Sequence, residues 1–263
     1  MYIQIESVDT ALCNRVWNVF FTNNNYLLKS VNCDGHNSII ENLLDAFGHT
    51  FEYPDGMFDR EKNMKKLKEI FSKNDWFFVY DFIEKYLDLE SESSKITAND
   101  LAKEINRILE EEKSGYRIIK RLVVPITNEQ ELKSLHKATK TKYDAVNVHM
   151  NKALLLYSRR KNPDYENSIK ESISTIEALC CIITEKNKAS LGDALKKIDD
   201  RGLGLHKALK SAINQLYGYT SDENGIRHAG IDFKGAFSED AKYMLVSCSV
   251  FVNYIIEKWE KNI

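Results

Sequence analysis

The segment from Tyr217 to Gly230, the Arg–His segment, contains the residues whose types and spacing are best suited to catalysis. Arg227 and His228 are adjacent in it. A guanidinium binds a phosphate in a forked geometry, and an imidazole gains or loses a proton near neutral pH. The pair suits phosphodiester cleavage, with the histidine as general acid or base on a ribose hydroxyl and the arginine offsetting charge on the phosphorane. Arg227 and His228 are therefore the candidate catalytic residues.

Polar residues near this pair are candidates for substrate binding. Asp222 and Glu223 can also orient either catalytic residue. A purely structural interpretation stays open, since one Arg–His pair is a weak motif. In that interpretation Arg227 pairs with Asp222 or Glu223 to fix the loop, and His228 is a buried histidine bonded to a backbone carbonyl. Lys170 and Glu171 are likewise open to interpretation as a solvated helix face. The candidate substrate-binding residues are Tyr219, Asp222, Glu223, Asn224, Lys170 and Glu171.

Other kinds of catalytic site are not indicated. The six histidines show no HxxxH spacing, and the five cysteines form no CxxC pair, so we predict no metal site and reduced thiols. No GxxxxGK[ST] sequence is present, which argues against hydrolysis of nucleoside triphosphates by this chain. We therefore predict no cofactor.

Composition favours helices and an aqueous environment. Hydrophobic residues make up 43% of the 263 residues and charged residues 29%, while only 3 Pro and 11 Gly are available for turns. The amino terminus does not resemble a signal peptide, and the longest apolar stretch, 243–256, is interrupted by polar residues. We expect a soluble, cytoplasmic protein with no membrane contact. Residues 113–161 carry 12 Lys/Arg against 3 Asp/Glu, a basic segment that either attracts phosphates or solvates helix faces.

The amino-terminal part of the chain shows several short amphipathic helical patterns. Polar, serine-rich residues 90–95 predict a loop between two of these helices. β-Branched and aromatic residues then predict a β-hairpin near 116–126, and Pro125 should limit the sheet to a small size. Asn128 is suited to cap the helix that follows.

Longer helices are predicted from about residue 143 onward. The clearest spans 164–186, and the last begins at Ser238 as its N-cap. Because most of the circumference of the last helix is apolar, it is either the central helix of a bundle or part of a subunit interface. We predict a mainly α fold with a helical amino-terminal domain at 1–137, which includes the hairpin, and a helical bundle at 138–263.

Several sequence motifs resemble the bacterial proteins that carry the AbiJ amino-terminal domain, which are linked to abortive phage infection. The resemblance extends over most of the chain. It rests on WFFVYDFIE at 76–84, SGYR at 114–117, VPIT at 124–127, DYENSIKESI at 164–173, LYGYTSDENGIRH at 216–228 and AKYMLVSC at 241–248.

The carboxy-terminal helices also resemble a HEPN-type bundle, a superfamily that includes metal-independent ribonucleases working as dimers. The resemblance implies that His228 is the acid/base residue, that Arg227 binds phosphate, and that RNA is the substrate. In the usual signature several residues separate the Arg from the His, whereas here the two adjoin.

Three functions are compatible with these features of the sequence. The first is a toxin-like, defence-associated ribonuclease that forms a homodimer. The second is a non-catalytic module that binds RNA, a nucleotide or a protein. The third is an interaction subunit of a defence or toxin–antitoxin complex.

Overall fold

A computed structural model of the chain describes residues 3–28, 34–53, 58–93, 95–200, 205–218 and 236–261. Within these residues, eleven helices and one two-stranded antiparallel sheet confirm the mainly α fold class. The chain divides into two compact units, at Met1–Thr127 and Asn128–Ile263. The predicted division, between 137 and 138, lies ten residues further along, at the end of the helix that opens the second unit.

Five helices and the hairpin form the amino-terminal unit. Its core is rich in aromatic side chains: the rings of Phe20 and Phe82 meet edge to face at 5.1 Å, and those of Phe71 and Phe82 at 4.9 Å. Such edge-to-face pairs add to the stabilisation that comes from burial. The elements are α1 (Thr10–Leu28), α2 (Asp34–Ala46), α3 (Arg60–Lys73), α4 (Trp76–Ser93), α5 (Lys95–Glu111), β1 (Arg117–Ile119) and β2 (Leu122–Val124).

The hairpin confirms the predicted strands, with Arg117 opposite Val124 and Ile119 opposite Leu122. Just before it, Gly115 lies against the amino-terminal segment, where a Cβ would approach the backbone oxygen of Gln4 at 3.0 Å. The Tyr80 hydroxyl is hydrogen-bonded to Ser114 at 2.8 Å. Motif residues 76–84 and 114–117 therefore meet in one packed cluster.

The predicted loop at 90–95 is wrong, because α4 continues to Ser93 and α5 begins at Lys95. The serines suggested a loop, but Ser91 donates a hydrogen bond to the Asp88 carbonyl within the helix. Serine can satisfy its hydroxyl in this way without leaving a helical conformation. Glu90 is buried, with an exposed fraction of 3%, and accepts a hydrogen bond from Asn23 of α1.

Six helices form the carboxy-terminal unit. Asn128 caps the first of them as predicted, accepting hydrogen bonds from the backbone N–H groups of Gln130 and Glu131. Phe237, and not Ser238, is the N-cap residue of the last helix, and its N–H is bound by the Asp240 carboxylate at 3.2 Å. The elements are α6 (Glu129–Ala138), α7 (Asp144–Ser158), α8 (Tyr165–Thr184), α9 (Leu191–Asp200), α10 (Lys207–Gly218) and α11 (Ser238–Glu260).

The central helix of this unit is α8, which packs against α7, α9 and α11. Helix α11 packs on α6, α7 and α8, and its polar residues serve these contacts: Ser249 is bonded to Ser134 of α6, and Asn253 donates to the Ser134 carbonyl. Its outer side keeps Tyr243 and Val250 exposed, at 63% and 52%. In the described part of the chain, no helix combines the length and apolarity needed to cross a membrane.

Candidate functional site

The predicted site falls into two structural groups. Arg227, His228, Tyr219, Asp222, Glu223 and Asn224 lie outside the described residues. The other two, Lys170 and Glu171, lie on α8. The described structure therefore gives the helices on either side of the Arg–His segment and the α8 face that carries Lys170 and Glu171.

The sequence places α8 at the centre of its unit by burying ten of its 20 residues, about two in each turn. Its first turn is fixed by Asp164, whose carboxylate accepts a hydrogen bond from the N–H of Asn167. Further along, Ser168 donates to the Ala153 carbonyl of α7 at 2.8 Å. Every residue from Ser168 to Thr184 is buried or half-buried, so the polar residues of α8 are held against neighbouring helices.

Glu171 is the centre of a polar cluster between α7 and α8. Its Oε2 lies 2.7 Å from Nδ1 of His149, and its Oε1 accepts a hydrogen bond from Lys152. Partial burial acts to raise the pKa of Glu171, but the hydrogen bonds from His149 and Lys152 outweigh it and leave the pKa lowered. Glu171 is thus held ionised by two donors on α7.

The contact also orients His149. Since a carboxylate can only accept, Nδ1 of His149 must carry the proton in this hydrogen bond, which leaves Nε2 to act as an acceptor in the neutral ring. A histidine oriented by a carboxylate in this way has the form of an acid/base pair. The side chain of His149 is 38% exposed.

Lys170 does not share in the same contacts. It is half-buried, and its charge contributes to lowering the pKa of Asp164, after the larger effect of the hydrogen bond from Asn167. Consecutive residues of a helix point about 100° apart, so Lys170 and Glu171 belong to different faces of α8.

A second hydrogen bond ties the end of α10 to α8. The Tyr217 hydroxyl donates to the carboxylate of Glu177 at 2.6 Å, and both side chains are partly buried. Tyr217 is two residues before Tyr219, the first of the predicted binding residues. The amino-terminal end of the Arg–His segment is thereby joined to the central helix.

Sequence analysis missed His149, Lys152 and Glu177 as partners in these contacts. The spacing of His149 and Lys152, three residues apart, places both on one side of α7, and Val146, Met150 and Ala153 mark the buried side. This pattern could have shown that the two donors lie together. It could not have shown which residue of α8 they would meet.

Many cations of the basic segment are paired with carboxylates. Lys133, Lys137 and Lys142 bind Glu129, Glu257 and Glu260 respectively. Exposed ion pairs of this kind contribute little to the stability of the fold. These contacts therefore agree with the interpretation in which the lysines lie on solvated helix faces.

The described residues contain no group of three or more His, Cys, Asp or Glu side chains that could hold a metal ion. Burial raises the pKa of Cys180 and of Cys248 to about 12, so both thiols are protonated at neutral pH. Neither is therefore suited to act as a nucleophile.

Comparison with known proteins gives one match. The family model described as AbiJ N-terminal domain 4 matches residues 1–141, just over half of the chain. No curated protein and no solved structure matches. The match confirms the AbiJ resemblance over residues 1–141. The resemblance of the motifs beyond residue 141 and the HEPN-like character of the carboxy-terminal unit stay predictions.

Proposed function

The chain belongs to the AbiJ N-terminal domain 4 family, and on that basis we propose that it is an abortive-infection protein whose carboxy-terminal unit cuts RNA. The AbiJ domain supports the phage-defence context. The proposed cleavage rests on the Arg227–His228 pair, which lies between two helices of an α-helical unit.

In the proposed reaction a ribose 2′-hydroxyl attacks the adjacent phosphorus. His228 removes the hydroxyl proton as the O2′–P bond forms, and Arg227 offsets the negative charge of the phosphorane. The P–O5′ bond then breaks, and the leaving oxygen takes up a proton from a general acid. The products are a 2′,3′-cyclic phosphate and a 5′-hydroxyl, and no metal takes part.

The remaining predicted residues have supporting roles in this proposal. Tyr219, Asp222, Glu223 and Asn224 bind the RNA or orient the catalytic pair, and Lys170 contributes positive charge. Glu171 acts through its neighbours, because its carboxylate already binds His149 and Lys152. The hydrogen bond between Tyr217 and Glu177 positions the start of the segment.

We also propose a homodimer formed through α11. The exposed residues Tyr243 and Val250 are seven positions apart, so they lie on the same side of the helix. Light scattering at micromolar concentration should give the mass of two chains, and replacing both residues with Asp should give the mass of one. A wild-type monomer would contradict this part of the proposal.

The adjacency of Arg227 and His228 favours a second candidate, because the usual nuclease spacing is absent. In that case the same segment belongs to a non-catalytic module that binds RNA, a nucleotide or a partner such as an antitoxin. Arg227 would still bind an anion, but His228 would transfer no proton.

Purified protein with single-stranded RNA in EDTA separates the two candidates. We expect slow cleavage that His228→Ala abolishes with little change in melting temperature. His136→Ala is the matched control, since it removes an exposed histidine of the same unit and should keep the activity. Loss of activity with His149→Ala alone would move the acid/base role to α7, and an inert wild type that still binds RNA would favour the binding module.

A further inference from the structure

A groove in the amino-terminal unit combines aromatic and basic side chains. It has a volume of about 670 Å³ and lies between α1 and α3. Trp17 and Phe21 line it from α1, while Arg60, Lys65 and Lys68 line it from α3. We propose that this groove binds single-stranded nucleic acid, with phosphates on the α3 cations and a base against Phe21.

The amino-acid sequence of α3 produces the basic side of the groove. The helix carries six Lys/Arg and two Glu. Lys65 and Lys68, three residues apart, lie on the same side of the helix, and Arg60 lines the same groove from the first turn. With a rise of about 1.5 Å per residue, Arg60 and Lys68, eight positions apart, are separated by about 12 Å along the axis. The charge is therefore spread along a line, which suits a chain of phosphates better than a single one.

The cations on the other side of α3 are engaged differently. Lys62 lies within 4 Å of the carboxylates of Glu52 and Asp59, and Lys73 pairs with Glu69. For Lys65 and Lys68, no carboxylate of a described residue lies within ion-pair distance. Arg60 donates a hydrogen bond to the backbone oxygen of Asn24 at 3.2 Å. Glu61 also lines the groove, so the lining side chains carry a formal net charge of +2.

The α1 side supplies aromatic surface. Phe21 is 43% exposed, whereas its neighbours Trp17 and Phe20 on the same helix are buried. Trp17 is 5% exposed and forms the floor, with Nζ of Lys68 5.9 Å from the centre of its ring. Stacking of an unpaired base on an exposed ring, next to cations that bind the backbone, is how proteins bind single strands without sequence preference.

A neighbouring groove on α1 differs because its basic side chains are paired with carboxylates. That groove, between α1 and α5, contains Arg15 and Arg107. Both arginines are neutralised by acidic residues at the end of α5 and directly after it: Arg15 binds Glu111 and Glu112, and Arg107 binds Glu111 at 2.7 Å. Its charges are satisfied within the protein, so it offers little attraction for a phosphate chain.

The test uses the full-length chain and a short, fluorescein-labelled oligouridylate that is 2′-O-methylated. This probe lacks the free 2′-hydroxyl that the proposed cleavage requires, so binding is measured whether or not the protein is a nuclease. Failure of the nuclease proposal would therefore leave this result unaffected.

Fluorescence anisotropy over a range of salt concentrations gives the decisive comparison. For single strands the slope of log K against log salt changes by about 0.7 per phosphate contact, so Lys65→Gln with Lys68→Gln should reduce its magnitude by about 1.4. Phe21→Ala should weaken binding about tenfold, as expected for one lost base stack. The matched control is Lys73→Gln with Lys103→Gln, which removes the same charge from exposed positions of the same unit and should change the slope by less than half as much.

Three results would overturn the proposal. The first is failure of the wild type to bind the probe at low salt, and the second is binding by the groove variants as tight as that of the control. The third is binding of polyglutamate that depends on Lys65 and Lys68 while the oligouridylate does not bind, which would identify the groove as a site for acidic peptides.

Discussion

In the carboxy-terminal unit, Nδ1 of His149 lies 2.7 Å from Oε2 of Glu171, which joins α7 to the central helix α8. Lys152, one turn further along α7, binds the other oxygen of the same carboxylate. Glu171 thus binds two side chains of α7, and its removal should loosen the packing of α7 against α8.

Glu171→Gln should lower the free energy of unfolding at pH 7 by about 1 kcal/mol, because two charge-assisted hydrogen bonds are weakened at a partly exposed site. The folded-state pKa of Glu171 is lowered, so its contribution is present above the ordinary glutamate pKa and is lost as the pH falls through the folded value. Urea denaturation at several pH values should show wild type and variant converging in acid. A difference that persists unchanged at pH 3 would contradict this assignment.

Glu90 should show the opposite dependence. Burial raises its pKa more than the hydrogen bonds of Tyr86 and Asn23 lower it, so the folded state binds its proton more tightly than the unfolded state. Stability should therefore fall as the pH rises from the ordinary glutamate pKa through the raised value. Glu90→Gln keeps an acceptor without the charge, and it should raise the melting temperature at pH 8 but not at pH 4.

The matched control is Glu92→Gln, at an exposed position two residues along the same helix. It should leave the melting temperature unchanged at both values of pH. Equal effects of the two substitutions would show that the burial of Glu90 is not the cause.

Gly115→Ala should destabilise the amino-terminal unit. The new Cβ would lie 2.9 Å from Cγ1 of Ile5 and 3.0 Å from the backbone oxygen of Gln4, so the amino-terminal segment would have to shift. We expect a loss of about 1–3 kcal/mol, measured by chemical denaturation. Gly192→Ala makes the contrast: its Cβ would meet Ser190 only at 3.6 Å, and within a helix the change should stabilise by about 0.5–1 kcal/mol. Destabilisation of equal size at both glycines would argue against the close approach at Gly115.

Tyr217→Phe tests whether the hydrogen bond to Glu177 positions the Arg–His segment. The ring is retained and only the hydroxyl is lost, so the melting temperature should change by a few degrees at most. If the bond positions the segment, kcat for RNA cleavage should fall about tenfold or more, with KM changed less. Tyr53→Phe, which loses a similar hydrogen bond to Glu41 in the amino-terminal unit, should leave kcat unaltered. An unchanged kcat in Tyr217→Phe would show that the bond is structural only.

The sequence was sufficient to predict the elements whose signals are local. Asp164 and Asn128 cap their helices because a carboxylate or amide oxygen lies within reach of backbone N–H groups two or three residues ahead. The hairpin was equally predictable from its β-branched residues and from Pro125. The loop predicted at 90–95 failed because Glu90 is buried against a distant helix, and no local pattern carries that information.

The site was less predictable for the same physical reason. His149 and Glu171 are 22 residues apart, and their contact depends on how α7 and α8 pack. The groove beside Phe21 likewise needs α1 and α3 to lie side by side. Residue types suggested the chemistry of Arg227 and His228, but the partners of a side chain are set by tertiary packing.

The central claim is that this protein cleaves RNA by attack of the RNA's own 2′-hydroxyl, with His228 as the acid/base residue. The most direct measurement is mass spectrometry of the products from an unmodified RNA and its 2′-O-methylated counterpart, both incubated with the protein in EDTA. We predict that only the unmodified RNA is cut, that its fragments end in 2′,3′-cyclic phosphate and 5′-hydroxyl groups, and that His228→Ala yields none. Cleavage of the methylated strand, a requirement for a divalent metal, or full activity of His228→Ala would contradict the claim.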